Sequence, residues 1–147
     1  MKSSLPVLLL FFCASVAAAD DKDAVKKELA KFQGTWIFES IEIEGEKAPP
    51  ESLKGSKLII KDDTFSVKTG DVTYKGTFKI DPTKKLKEID VTFTDGPEKG
   101  TTLLGIYELD DDTYRPCFKM NGKDRPTEFT GKKDSGQGLE VLKKEKK

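Results

Sequence analysis

The side chains here whose type and spacing suit chemistry fall into four groups. Asp110-Asp111-Asp112 is a carboxylate run. It lacks the alternating oxygen ligands and distal Glu of a calcium loop, so a hairpin turn is the simpler account. Arg115 and Arg125 are the only arginines in a chain where Lys otherwise dominates. A guanidinium suits bidentate recognition of a carboxylate or phosphate. Structural pairing with Glu108, Glu128 or another surface carboxylate is the alternative. Cys117 is the only cysteine beyond the N-terminal segment, so the domain has no disulfide and a buried, inert thiol is expected. The fourth group is a series of strand aromatics: Phe38, Phe65, Tyr74, Phe78, Phe93, Tyr107 and Phe118. They either line a ligand cavity or fill the interior, because a barrel of about eight strands is just wide enough for either.

Histidine is absent. This excludes Ser-His-Asp and Cys-His nucleophile activation and His-ligated zinc, copper or haem. No paired carboxylates, Gly-rich phosphate loop or Cys cluster meets the spacing its chemistry needs. Carboxylate or Lys chemistry stays open, with an enzyme as the third alternative, but no side chain is singled out as a catalytic residue or metal ligand and no cofactor is expected.

The elements that must position these groups are mostly strands. Residues 22–32 carry Val25, Leu29 and Phe32 at helical spacing, which predicts a short amphipathic helix ended by Gly34. From Thr35 the period becomes two. Trp36 and Phe38 share one phase, whereas Ile41 and Ile43 fall in the other, which predicts a bulge near Glu39-Ser40. Residues 45–56, with Gly45, Pro49 and Pro50, form the longest early connection. Strands then follow at 57–61, 64–69, 72–80, 87–94, 101–109, 113–119, 125–131 and 138–144, each closed by turn residues. No helix-length segment between them makes a parallel crossover. The fold class is therefore all-β, an antiparallel up-and-down meander closing into a barrel behind one N-terminal helix. A two-sheet sandwich is the fallback.

The N-terminus has Lys2, an apolar run over 5–12, Ala17-Ala18-Ala19 and then an abruptly charged stretch. That order reads as a signal peptide over 1–19, followed by one domain over 20–147 in an extracytoplasmic compartment; an uncleaved anchor is the alternative. The apolar run is too short for a membrane span of about 20 residues. The 26 basic and 26 acidic side chains are interleaved, which argues against a nucleic-acid partner.

Two sets of motifs carry a resemblance. Phe32-Gln33-Gly34-Thr35-Trp36 is similar to the Gly-x-Trp start of lipocalin-like barrels. Asp95 to Leu109, Cys117-Phe118, Arg125 to Phe129 and Gly136 to Leu139 together resemble an uncharacterised secreted lipocalin-like family abundant in planctomycete-type bacteria. The similarity covers residues 29–144. It implies a lipocalin-like barrel and export, and no reaction, ligand or catalytic residue. It further implies that Trp36 plugs the closed end, with a basic side chain of the last strand, Lys143 or Lys144, over its ring. One departure is Tyr114-Arg115-Pro116, where an apolar strand is usual. Pro116 cannot donate to a ladder, so that strand is expected at an edge, bulged or locally open.

In such a barrel the 45–56 loop lies over the open end, stiffened by its prolines, with Leu53 offering an apolar contact. A small apolar or amphipathic ligand would enter beneath it and touch Phe65, Tyr74, Phe93 and Tyr107, with Arg115 as the candidate anion contact. The alternative function is a protein-interaction or inhibitor module with a solid interior and an unknown protein partner.

Overall fold

The computed structural model describes residues 15–146, with side chains from Asp21 onward. Residues 1–14 of the expected leader lie outside the described residues. Helix α1 (Ser15–Phe32) begins before the expected Lys22 and runs through the expected leader boundary. Its inward face carries Leu29 and Phe32 into the core and also buries Glu28. Gly34 has φ +120°, a conformation that lets the chain turn sharply from helix to strand. Gln33 fixes the corner: its amide donates to the Leu29 and Asp62 carbonyls, both 3.0 Å away, and its side-chain oxygen accepts from Asp62 N at 2.7 Å.

The strands are β1 (Gly34–Ile43), β2 (Glu46–Lys47), β3 (Lys57–Lys61), β4 (Thr64–Thr69), β5 (Val72–Asp81), β6 (Glu88–Asp95), β7 (Thr102–Leu109), β8 (Thr113–Lys119) and β9 (Gln137–Lys144). Neighbours from β3 to β9 pair antiparallel in chain order. β1 joins β3 on one side and β9 on the other, so eight strands close a meander barrel, with the two-residue β2 appended to β1. The β1–β9 register shifts between Phe38 and Ser40, where the phase change placed a bulge. It keeps both Phe38 and Ile41 facing inward.

The helix end of the barrel is solid. Phe32, Trp36, Tyr107 and Tyr114 form an edge-to-face cluster, with ring centroids 5.2 Å apart for Phe32–Tyr107, 5.1 Å for Phe32–Tyr114 and 5.8 Å for Trp36–Tyr114. Each such pair adds about 0.5–1.5 kcal/mol beyond its buried area. Trp36 is fully buried, and its indole N–H donates to the Phe32 carbonyl at 2.8 Å. Lys144 Nζ lies 5.0 Å from the Trp36 ring centroid and donates to Lys31 O at 3.0 Å. Of the two lysines considered, Lys144 therefore takes the position over the ring, while Lys143 bonds Thr113 Oγ1.

The expected strand over 125–131 is not formed; residues 121–136 make an irregular strap across the outside of the barrel. Tyr107 and Phe118 belong to the interior cluster, so alternation turns Ile106 and Cys117 outward. Both are nonetheless buried, and Pro126 is buried with them. The strap covers an apolar patch on the outer wall instead of adding a strand. Arg125 anchors it, donating to Gly105 O at 2.7 Å, to Ile89 O at 3.2 Å and to Asp90 Oδ1 at 2.6 Å. Gln137 Nε2 donates to Glu128 O at 3.1 Å and to Thr130 O at 3.0 Å. Pro116 sits where β8 is locally open: β8 pairs with β9 at Tyr114 and Cys117 but not between them, while the β7 side stays paired through Tyr107↔Pro116.

Cys117 is fully buried beneath the strap, with Sγ 3.4 Å from Thr130 O. Burial pushes its thiol above the ordinary value, which disfavours the reactive thiolate. In a native thiol titration Cys117 is expected to label only after denaturant is added. Rapid labelling in buffer would mean that the strap lifts readily from the wall.

Candidate functional site

Above the solid end the barrel is hollow, with a cavity of about 560 Å³, a size typical of small-molecule sites. This decides between the hollow and packed interiors left open by the sequence. Inward glycines help to make the space. A Cβ on Gly105 would come within 2.6 Å of the Phe118 ring, and one on Gly76 would collide with the Thr92 carbonyl and with Phe65. Phe65 and Phe118 therefore lie against the wall where their cross-strand partners have no side chain.

Of the five residues expected at a ligand, Phe65, Tyr74 and Phe93 line the cavity. Phe93 packs edge-on against both others, with centroids 5.5 Å from Phe65 and 6.1 Å from Tyr74. The structure corrects the other two. Tyr107 is not part of the lining. It is fixed in the closed end, where its hydroxyl donates to buried Glu28 Oε2 at 3.3 Å and the same oxygen takes Lys87 Nζ at 2.7 Å. Burial and the Glu28 charge push the Tyr107 phenol far up. Arg115 is on the outer wall, stacked on Phe129 at 4.9 Å, with Nε 3.2 Å from Glu108 Oε2. That N–H does not point at the carboxylate, so Arg115 Nε is buried without a hydrogen bond. Its alternation with Tyr114 turns it away from the interior.

The mouth is partly roofed by the 45–56 connection. Its short helix α2 (Pro50–Leu53) buries Leu53 against the cavity, and Ser56 Oγ bonds Thr69 Oγ1 at 2.9 Å to tie the connection to β4. Asp110 proves to be a turn residue: its carboxylate accepts from the backbone N–H of Asp112 at 2.9 Å and of Thr113 at 2.7 Å.

Sequence reasoning missed Glu140. It lies on the inward face of β9, directly across from Ile41 of β1, and its side chain lines the cavity. Among the described residues no cation pairs with it. Burial alone pushes its carboxyl up to about 7. Tyr114, beside it on β8, also borders the cavity, and burial followed by the Glu140 charge holds its phenol well above its ordinary value.

Comparison with family models, with curated proteins and with solved structures returned no match. The architecture is a closed antiparallel barrel of lipocalin-like form. Among the described residues no helix is long and apolar enough to cross a membrane.

Proposed function

We propose that the protein is an exported, non-enzymatic carrier that holds one small apolar or amphipathic molecule inside its barrel. The observation behind this reading is the cavity itself: about 560 Å³, walled mainly by aromatic and aliphatic side chains and roofed by Leu53. That interior supports a carrier over an interaction module built on a solid barrel. The leader-like N-terminus and the resemblance to a secreted lipocalin-like family support export. Burying a few hundred Å² of ligand at about 25 cal/mol per Å² corresponds to micromolar affinity once association costs are subtracted.

Titration with a neutral, environment-sensitive fluorescent probe is expected to saturate at one probe per chain. Phe93→Ala should weaken binding about tenfold, by the loss of roughly 1.4 kcal/mol of aromatic contact. Absence of saturable binding by the wild type, or indifference to Phe93→Ala, would sink the carrier reading.

A further inference from the structure

The cavity has a chemical polarity that its apolar walls do not explain. Glu140 projects from the inward face of β9 at mid-depth, between Gly138 toward the mouth and the fully buried Leu142 toward the closed end. No lysine or arginine lines the cavity among the described residues, although the chain carries 26 basic side chains. The other ionisable side chains on the lining are Tyr114 on β8, Tyr74 on β5 and, in the β6–β7 connection, Glu98. The charged neighbours on the adjoining strands, Glu42 on β1 and Arg115 on β8, occupy outer-wall positions, out of phase with inward Ile41 and Tyr114. A carboxylate without a partner in an apolar cavity is costly to the folded protein, and a desolvated ionisable group in a cleft is a functional-site candidate. The rings of Phe38, Phe118 and Tyr114 share the cavity with it. Aromatic faces beside a carboxylate are a recurring setting for a cationic nitrogen.

Resting on the carrier reading above, we infer that Glu140 is the headgroup subsite of the cavity and that the ligand class is an amphipathic amine: a protonated nitrogen on the Glu140 carboxylate with its apolar body among Phe65, Phe93 and Tyr74. An anionic amphiphile such as a fatty acid is disfavoured, because its carboxylate would meet Glu140 and Glu98 with no cation between them. Since burial holds the Glu140 carboxyl near 7, binding of the amine expels a proton from the fraction of protein in which Glu140 is neutral.

The test uses the full chain and three ligands with the same tail, dodecylamine, dodecanol and dodecanoate, each displacing the neutral probe below its micellar concentration. At about pH 8 dodecylamine is expected to bind at least about tenfold tighter than dodecanol, the worth of one partly desolvated charge-assisted contact, with dodecanoate weakest. Glu140→Gln should abolish the amine preference and leave dodecanol within about twofold of wild type. Lowering the pH to about 5.5, where dodecylamine stays charged and Glu140 is neutralised, should weaken dodecylamine binding to the wild type and leave dodecanol unaffected. This arm needs no variant and holds even if Glu140→Gln folds poorly. Dodecanol binding without an amine preference, or an amine preference that survives both Glu140→Gln and acidification, would overturn the headgroup assignment while leaving the carrier reading intact. Failure of all three ligands and of the probe would overturn both.

Discussion

Trp36→Ala is expected to cost the protein about 4–5 kcal/mol of unfolding free energy, near the top of the range for a large-to-small core change. The indole is fully buried and packs edge-on against Tyr114. Its N–H holds the last helical carbonyl, that of Phe32, so truncation leaves a cavity and also loosens α1 from the barrel. Lys144 would lose the ring beneath it, an interaction worth about 0.5–2 kcal/mol. Trp36→Phe keeps most of the buried area and loses the N–H, so a loss of about half as much is expected. Urea unfolding followed by tryptophan-independent far-UV dichroism measures both variants. A loss below 2 kcal/mol for Trp36→Ala would mean that helix and barrel are not one cooperative unit.

Glu140→Gln is expected to stabilise the protein above neutral pH and to change little near pH 4.5. The folded carboxyl sits near 7 against an ordinary value of 4.5, so between those two values the folded state binds more protons than the unfolded state. Unfolding free energy must therefore fall as pH rises through that window and flatten above it. The shift corresponds to roughly 3 kcal/mol. Gln fits the same space without the charge and removes this slope. Asp81 and Asp110 act in the opposite sense. Thr83 hydroxyl and backbone donors hold Asp81 low, and the Asp112 and Thr113 backbone N–H groups hold Asp110 low, so their stabilisation is lost only in acid. The difference between wild type and variant isolates Glu140. Parallel stability curves from pH 4.5 to 8 would show that water or a structural shift solvates its carboxylate.

The strands were legible because their ends are chemically marked. Asp62-Asp63, Gly70-Asp71, Asp81-Pro82 and Asp95-Gly96 all fall at the ends of strands, and turn preference is local. The bulge at Glu39 was legible too, since a phase change within one strand has few other causes. The strap was not. Arg125 to Gly131 has strand-like composition, but it is needed to cover Ile106 and Cys117, residues distant in sequence on the outer wall. Its signal lay in β7, where Leu104 and Ile106 interrupt the outward polar phase marked by Thr102 and Glu108. Glu140 drew no notice in the sequence because Leu139 and Val141 on either side look like the apolar phase of β9. Alternation from Lys144, which the resemblance offered as one of two candidates for the place over Trp36, puts Leu142 and Glu140 on the same inward face. Tyr107 was misassigned for a different reason: period-two patterning says that a side chain points inward but not how deep, and depth separates the packed end from the hollow one.

The pairing of β1 with β9 also has a kinetic meaning. The strands that close the barrel come from opposite ends of the domain and register along Trp36↔Lys144 through Ile43↔Gly138. Chain this distant must be brought together before the contact contributes anything, and such non-local pairing slows folding to the millisecond-to-second range. The hairpins from β3 to β8 are local and can form early. Until closure, β1 and β9 each present an open edge, where another chain can add a strand. The interval before the seam zips is thus when a nascent copy is most exposed to aggregation. Substitutions at the seam should act mainly on how fast the closed barrel opens, and those in the early hairpins on how fast it forms.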